Sequence, residues 1–188
     1  MGAEILATDT ASASDADPAA ALIARGDYRG ALARCAVDHG PSLGRLCMAF
    51  LGSQAEAEEA AQEALIAALD AMPSYRGEGT VRAWLFGIAR RVCARRLETR
   101  VRRENRLRLV QPDESAPGAE ALVAARQQAH RVRVALEQLK PTEREAVVLR
   151  YDSGLSFSEV AEACGIDEAA ARKRVSRALE RLRKALCE

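Results

Sequence analysis

Between Arg172 and Lys184 the chain places seven basic side chains and one acid in thirteen residues, directly after a helical signature that ends in Cys164-Gly165-Ile166. Guanidinium and ammonium groups gathered on one helix face are the chemistry that neutralises phosphates and hydrogen-bonds base edges. Projected at about 100° per residue, Val175, Ala178, Leu179, Leu182 and Leu186 form one narrow apolar arc, with Lys173, Arg177, Arg181 and Lys184 opposite. Such a helix is anchored by one side and offers the other to a groove. A basic helix taken alone usually means a solvated face, so the residues in front of it decide. Ser156 and Glu159 have capping-box spacing. Phe157, Val160, Ala161 and Cys164 then fall at i, i+3, i+4 and i+7. Gly165 ends that helix, Ile166 can plug the turn into the core, and Asp167 can cap the next. The unit reads as a DNA-binding helix-turn-helix.

Two such contacts are indicated by the charge pattern. The 188 residues carry a net charge of only +1, but residues 1–72 hold eleven acids against four bases and residues 73–108 hold eleven bases against three acids. The alternation repeats, with eleven acids against six bases in 109–171 and seven bases against two acids in 172–188. Two basic blocks, each preceded by an acidic one, suit two nucleic-acid contacts on two helical units, although solvated surface would also carry charge.

Composition bounds the rest. With 48% hydrophobic, 29% charged and only 4% aromatic residues, and alanine prominent, an all-α fold is expected. No apolar run approaches the roughly twenty residues of a membrane span, and no leader pattern opens the chain. A cytoplasmic protein without membrane insertion follows. Gly77-Glu78-Gly79 is not a nucleotide loop, because Arg82 stands where a third glycine is needed and no strand precedes it. His39 and His130 lack metal-ligand pairing, and Cys35, Cys47, Cys93, Cys164 and Cys187 are odd in number without a Cys-x-x-Cys. No catalytic constellation, metal site or cofactor is expected.

The elements that must position these groups are legible in part. Residues 1–16 read as a disordered tail. Asp17-Pro18 opens a short helix that closes near Arg25, and Gly26-Asp27 caps a second, which Gly40-Pro41 should interrupt or split before it resumes to Gly52. Ser53 and Glu56 have capping-box spacing again, ahead of a helix whose buried face is Ala57, Ala60, Ala61, Ala64, Leu65, Ala68 and Met72. Its outer face, Glu58, Glu59, Gln62 and Glu63, either stabilises its own helix or docks on a basic partner. Pro73 to Gly79 is a loop. Thr80 caps a helix with Val81, Trp84, Leu85, Ile88, Val92 and Leu97 inward, extending through nine arginines between Arg90 and Arg108. Residues 109–119 read as a flexible linker, followed by a helix from 120 to 140 and another opened by Pro141.

Gly52-Ser53-Gln54-Ala55-Glu56-Ala57-Glu58-Glu59-Ala60-Ala61-Gln62-Glu63 and Val81-Arg82-Ala83-Trp84-Leu85-Phe86-Gly87-Ile88-Ala89-Arg90 resemble region two of bacterial sigma factors of the extracytoplasmic-function (ECF) group, within the sigma-70 family. Leu139-Lys140-Pro141-Thr142-Glu143-Arg144-Glu145, Leu155-Ser156-Phe157-Ser158-Glu159-Val160-Ala161 and Arg172-Lys173-Arg174-Val175-Ser176-Arg177-Ala178 resemble region four. The resemblance implies a non-catalytic promoter-specificity subunit, with region two in 17–108 and region four in 120–188. Its implied partners are core RNA polymerase, promoter DNA and an anti-sigma factor. It implies polymerase docking by Glu59, Gln62 and Glu63. Minus-ten contacts would come from Tyr75, Arg76, Arg82, Trp84, Arg90 and Arg91, although Trp84 also fits the core. Minus-thirty-five contacts would come from Arg172, Lys173, Arg174, Ser176, Arg177 and Arg181, with Arg174 and Arg181 on phosphates. Ala169 and Ala170 depart from the family's Gly-Thr, removing a hydroxyl at the helix start. A dimeric helix-turn-helix regulator acting without polymerase is the alternative.

Overall fold

Helix start and stop signals convert into elements one by one in the computed structural model, which describes residues 17–107, 131–132 and 134–187. The tail, the linker and most of the 120–140 helix lie outside these residues. Asp17 accepts the Ala19 amide at 2.9 Å and opens α1 (Pro18–Ala24). Asp27 accepts the Gly30 amide at 2.9 Å and opens α2 (Tyr28–Leu51), which ends on Gly52 in the left-handed conformation, φ 74°. Ser53 caps α3 (Gln54–Ala71), a short 3-10 turn follows over Met72–Ser74, and Thr80 accepts the Ala83 amide at 3.0 Å to begin α4 (Val81–Leu107). The C-terminal module contains α5 (Pro141–Tyr151), α6 (Phe157–Cys164) and α7 (Glu168–Cys187). Among the described residues there is no strand, and no helix is long and apolar enough to cross a membrane.

Two expectations change. Helix α2 runs unbroken through Pro41. Proline removes one amide donor, but Pro41 is exposed and Val37, whose carbonyl loses that donor, is 74% exposed, so water can replace the bond. Ser53 accepts the Glu56 amide, but Glu56 does not complete a capping box; its carboxylate turns to Arg100 at 3.6 Å. Around α6 the full box forms, with Ser156 and Glu159 exchanging bonds of 2.9 and 3.2 Å.

The core begins where α2, α3 and α4 pack together, with α1 against α2. Leu43, Leu46, Phe86, Leu85 and Met72 are its largest enclosed side chains, and alanines of α3 let the helices approach closely. The thiols of Cys47 and Cys93 meet inside this bundle, and burial pushes Cys35 up to about 11, all as reduced apolar side chains. In the second module α5, α6 and α7 pack on one another, and α6 also packs on α4. Ala163 records that extra contact: it lies off the predicted stripe of α6 yet is 4% exposed, while Cys164, predicted inward, is half-buried.

Leu46→Ala should lower stability by about 2–5 kcal/mol through lost apolar transfer and a residual cavity. Val37→Ala should change it by less than about 0.5 kcal/mol. Urea melts with constant slope check both, and an equal loss at the two positions would contradict the packing.

Candidate nucleic-acid interface

Helix α7 is held by small apolar residues and presents long polar ones. Ala171, Val175 and Ala178 are buried against the module, while Arg172, Lys173, Ser176 and Arg177 are exposed. Asp167 fixes the helix start by accepting the Ala170 amide at 2.7 Å. Arg172 is oriented from two sides: Glu168 accepts its Nε at 3.1 Å, and its guanidinium lies 4.4 Å from the Phe157 ring centroid. Arg150 lies 4.8 Å from the same ring and donates to the Leu155 carbonyl. Arg174 is half-buried. Arg181 sits 3.1 Å from Glu143, a carboxylate only 4% exposed on α5, without hydrogen-bond geometry at the Oε2 atom.

The loop before α4 and the start of α4 form a second surface. Tyr75 and Trp84 are both half-buried, with ring centroids 5.1 Å apart, and the Tyr75 hydroxyl donates to the Gly79 carbonyl at 3.0 Å. Burial, with Glu162 nearby, pushes the Tyr75 phenol up. Arg76 and Arg91 are exposed; partial burial and the neighbouring Arg90 and Arg95 pull Arg91 down. Arg82 and Arg90 do not face outward. Arg82 donates to the Ser153 carbonyl at 2.7 Å and lies 3.6 Å from Glu159. Arg90 donates to the Ala163 carbonyl at 3.2 Å and to Glu145 at 3.1 Å. The backbone amide of Thr80 donates to Glu162 at 3.2 Å and its hydroxyl to Glu159 at 3.3 Å. Carboxylates at a helix N-terminus meet its unpaired amides and positive dipole end.

On α3, Glu59 and Glu63 converge on Arg96 at 3.1 and 2.9 Å, and Glu63 also meets Arg95 at 3.2 Å. Gln62 is exposed beside them. Glu59 and Glu63 thus brace α3 against α4. Their side chains remain 69% and 40% exposed, a geometry in which pairs contribute little stability.

A basic helix-turn-helix and a separate arginine-rich helical bundle are matched by two family models. Residues 36–103 match Sigma-70 region 2, and residues 129–182 match Sigma-70, region 4. The ECF RNA polymerase sigma factor SigD of Mycobacterium tuberculosis is 34% identical over 155 residues, 76% of this chain and 71% of that protein. The chain belongs to the ECF group of the sigma-70 family. SigC of the same organism is 32% identical over 141 residues, 72% of each chain. Among solved structures, CnrH in complex with the cytosolic domain of CnrY superposes with TM-score 0.66 at 26% identity, covering 89% of this chain and 94% of that one. The sigma factor RpoE from Bartonella quintana, in complex with the anti-sigma factor NepR, gives 0.61 at 27% identity, covering 78% and 90%.

The structure gathers these candidates on two surfaces, and the sequence did not show which residues join the two modules. Ser153, Glu145, Glu162 and Arg144 were not singled out as contacts. The available signals were Gly87, a buried glycine within a long helix, and the acids of α5 and α6. An ideal Cβ on Gly87 would lie 3.2 Å from the Ala163 carbonyl oxygen. Only hydrogen at that position leaves this approach unstrained.

His39 lies beside this junction, 6.4 Å from the Phe86 ring centroid, and burial together with Arg82 holds it below its ordinary 6.5 despite Asp38, Asp17 and Glu159. A depressed histidine contributes stability that is complete above pH 6.5 and lost as pH falls through the folded value. Urea midpoints should fall over that window in the native chain and fall less in His39→Gln. Identical pH slopes would contradict the assignment.

Proposed function

We propose that this sigma factor joins core RNA polymerase and directs promoter-specific initiation in the cytoplasm, without catalytic chemistry of its own. Residues 17–108 act as region two and 120–188 as region four, with 109–119 as the strap between them. The single supporting observation is the outward face of α7, where Lys173, Ser176 and Arg177 are exposed on a helix whose opposite face is anchored by Ala171, Val175 and Ala178. In this reading Arg172, Lys173, Ser176 and Arg177 face the major groove of the minus-thirty-five element. Arg174 serves the phosphates. Arg181 is better suited to pinning α7 onto α5 through Glu143, which gives it a structural task beside any phosphate contact.

Tyr75, Trp84 and Arg76 line the loop that receives an unstacked minus-ten base, an aromatic platform being the chemistry for such a base. Arg82, Arg90 and Arg91 neutralise the adjoining strand. Glu59, Gln62 and Glu63 dock on a basic polymerase surface, using acids whose internal partners hold them in place without consuming their exposure. An anti-sigma factor is the further partner. A groove of about 480 Å³ where Phe50, Leu97 and Val101 meet Leu139, Pro141 and Arg144 supports that assignment by offering apolar surface shared between the modules.

Purified chain added to core polymerase should produce initiation at a defined promoter selected from a random library. Transcription unchanged from core alone would contradict the function. On the selected promoter Arg177→Ala should cost about 1–3 kcal/mol of discrimination at one minus-thirty-five position. A uniform loss across all sequences, read by competition binding, would assign Arg177 to phosphate instead.

A further inference from the structure

We infer that Phe157 and Glu168 are positioning residues for base reading: they fix the Arg172 guanidinium before DNA arrives, so that its open edge meets a base in one orientation. This deepens the reading in which Arg172 faces the major groove, and rests on it. Phe157 opens α6 with its ring only partly buried, while the core positions of that helix are taken by Val160, Ala161 and Ala163. Two cations lie against the ring instead. The Arg172 guanidinium is 4.4 Å from its centroid and that of Arg150 is 4.8 Å away. An aromatic face attracts guanidinium groups through its quadrupole and gives them a flat platform.

Position along the helix makes this arginine the one to fix. Ala169, Ala170 and Ala171 precede it, so Arg172 is the first side chain after Glu168 on α7 that can donate a hydrogen bond. A helix entering the major groove places its N-terminal residues against base edges. Arginine also has among the largest rotamer entropies, and ordering it only on contact would subtract from the bond it makes. Its side chain is 58% exposed, so burial does not order it. Two partners do. Glu168 accepts from Nε at 3.1 Å and from Nη2 through the same oxygen, and the Phe157 ring takes one face. The edge between Nη1 and Nη2 stays open, and it carries two parallel donors suited to a base edge with two acceptors.

The stack also registers that edge against the whole module. Arg150 belongs to α5 and donates to the Leu155 carbonyl at 2.8 Å, Phe157 belongs to α6, and Arg172 to α7. Three helices therefore set one guanidinium. By contrast, Lys173 and Arg177 have no side-chain partner among the described residues, so DNA itself must order them. Arg177 thus serves as an internal control for Arg172.

A competition assay tests this, using the full chain bound to core polymerase, the selected promoter and its single-base variants across the minus-thirty-five element. Arg172→Ala and Arg177→Ala first identify the position each arginine reads. Phe157→Leu keeps an apolar side chain and removes the aromatic face. It should lower discrimination at the Arg172 position about two- to fivefold. The Arg177 position and the salt slope should not change, because no phosphate contact is lost. Combined with Arg172→Ala, it should have no further effect. Phe157→Tyr should retain native discrimination. Glu168→Gln leaves the ring in place and should lower discrimination at the Arg172 position alone, which keeps the test open if Phe157→Leu does not fold. Equal losses at both positions, a loss that persists beside Arg172→Ala, or native discrimination in both variants would overturn the positioning role. Arg172→Ala weakening every sequence alike would overturn the base-reading role itself, and the positioning with it.

Discussion

A guanidinium brought out of water must have acceptors, and Arg82 and Arg90 on α4 dictate much of what the rest of this chain does. They project from a helix whose other side is packed with Val81, Leu85, Ile88 and Val92, so they cannot retreat into the first module. Their charge must be met from outside. In the structure the acceptors come from α5, α6 and the turn between them, and the relation of the two modules follows from that demand. The segregated charge of the sequence is the same fact seen along the chain: the basic block of 73–108 and the acidic block of 109–171 contain these partners.

The two basic surfaces are consequently unequal. Helix α7 is anchored by apolar contacts and a buried acid, which leaves its basic face free for a partner. Helix α4 is held in part through Arg82 and Arg90, whose acceptors lie in the second module. A surface of the first kind is open to solvent, whereas one of the second kind is already paired. The exposed ion pairs along α3 resemble the first kind: Arg95 and Arg96 position Glu59 and Glu63 without enclosing them.

Local chemistry was readable because it depends on neighbours in sequence. The capping box at Ser156 and Glu159, the left-handed Gly52 and Gly165, and the alanine stripe of α3 all follow from residues within a few positions of one another. The break at Pro41 was overread because proline's cost depends on whether solvent reaches the freed carbonyl, which periodicity does not encode. The box at Ser53 was half right because Glu56 had a distant competitor in Arg100. The residues that join the two modules were invisible for a related reason. Bonds such as Arg82 to Ser153 and Arg144 to Phe50 join residues far apart in the chain, and each arginine was equally compatible with phosphate, carboxylate or water. Buried Ala163 and Gly87 are their imprint, but small residues on a helix have many causes.

The most direct test asks whether α4 and α6 meet in solution. Gly87→Cys with Ala163→Cys, in a chain whose Cys164 is replaced by alanine, places two thiols where an added Cβ already lies 3.4 Å from the opposing Cα, within disulfide reach. Oxidised, this chain should close the disulfide within one molecule, read as faster migration on a non-reducing gel, and reductant should reverse it. Thiols that stay unpaired in the folded chain would contradict the account.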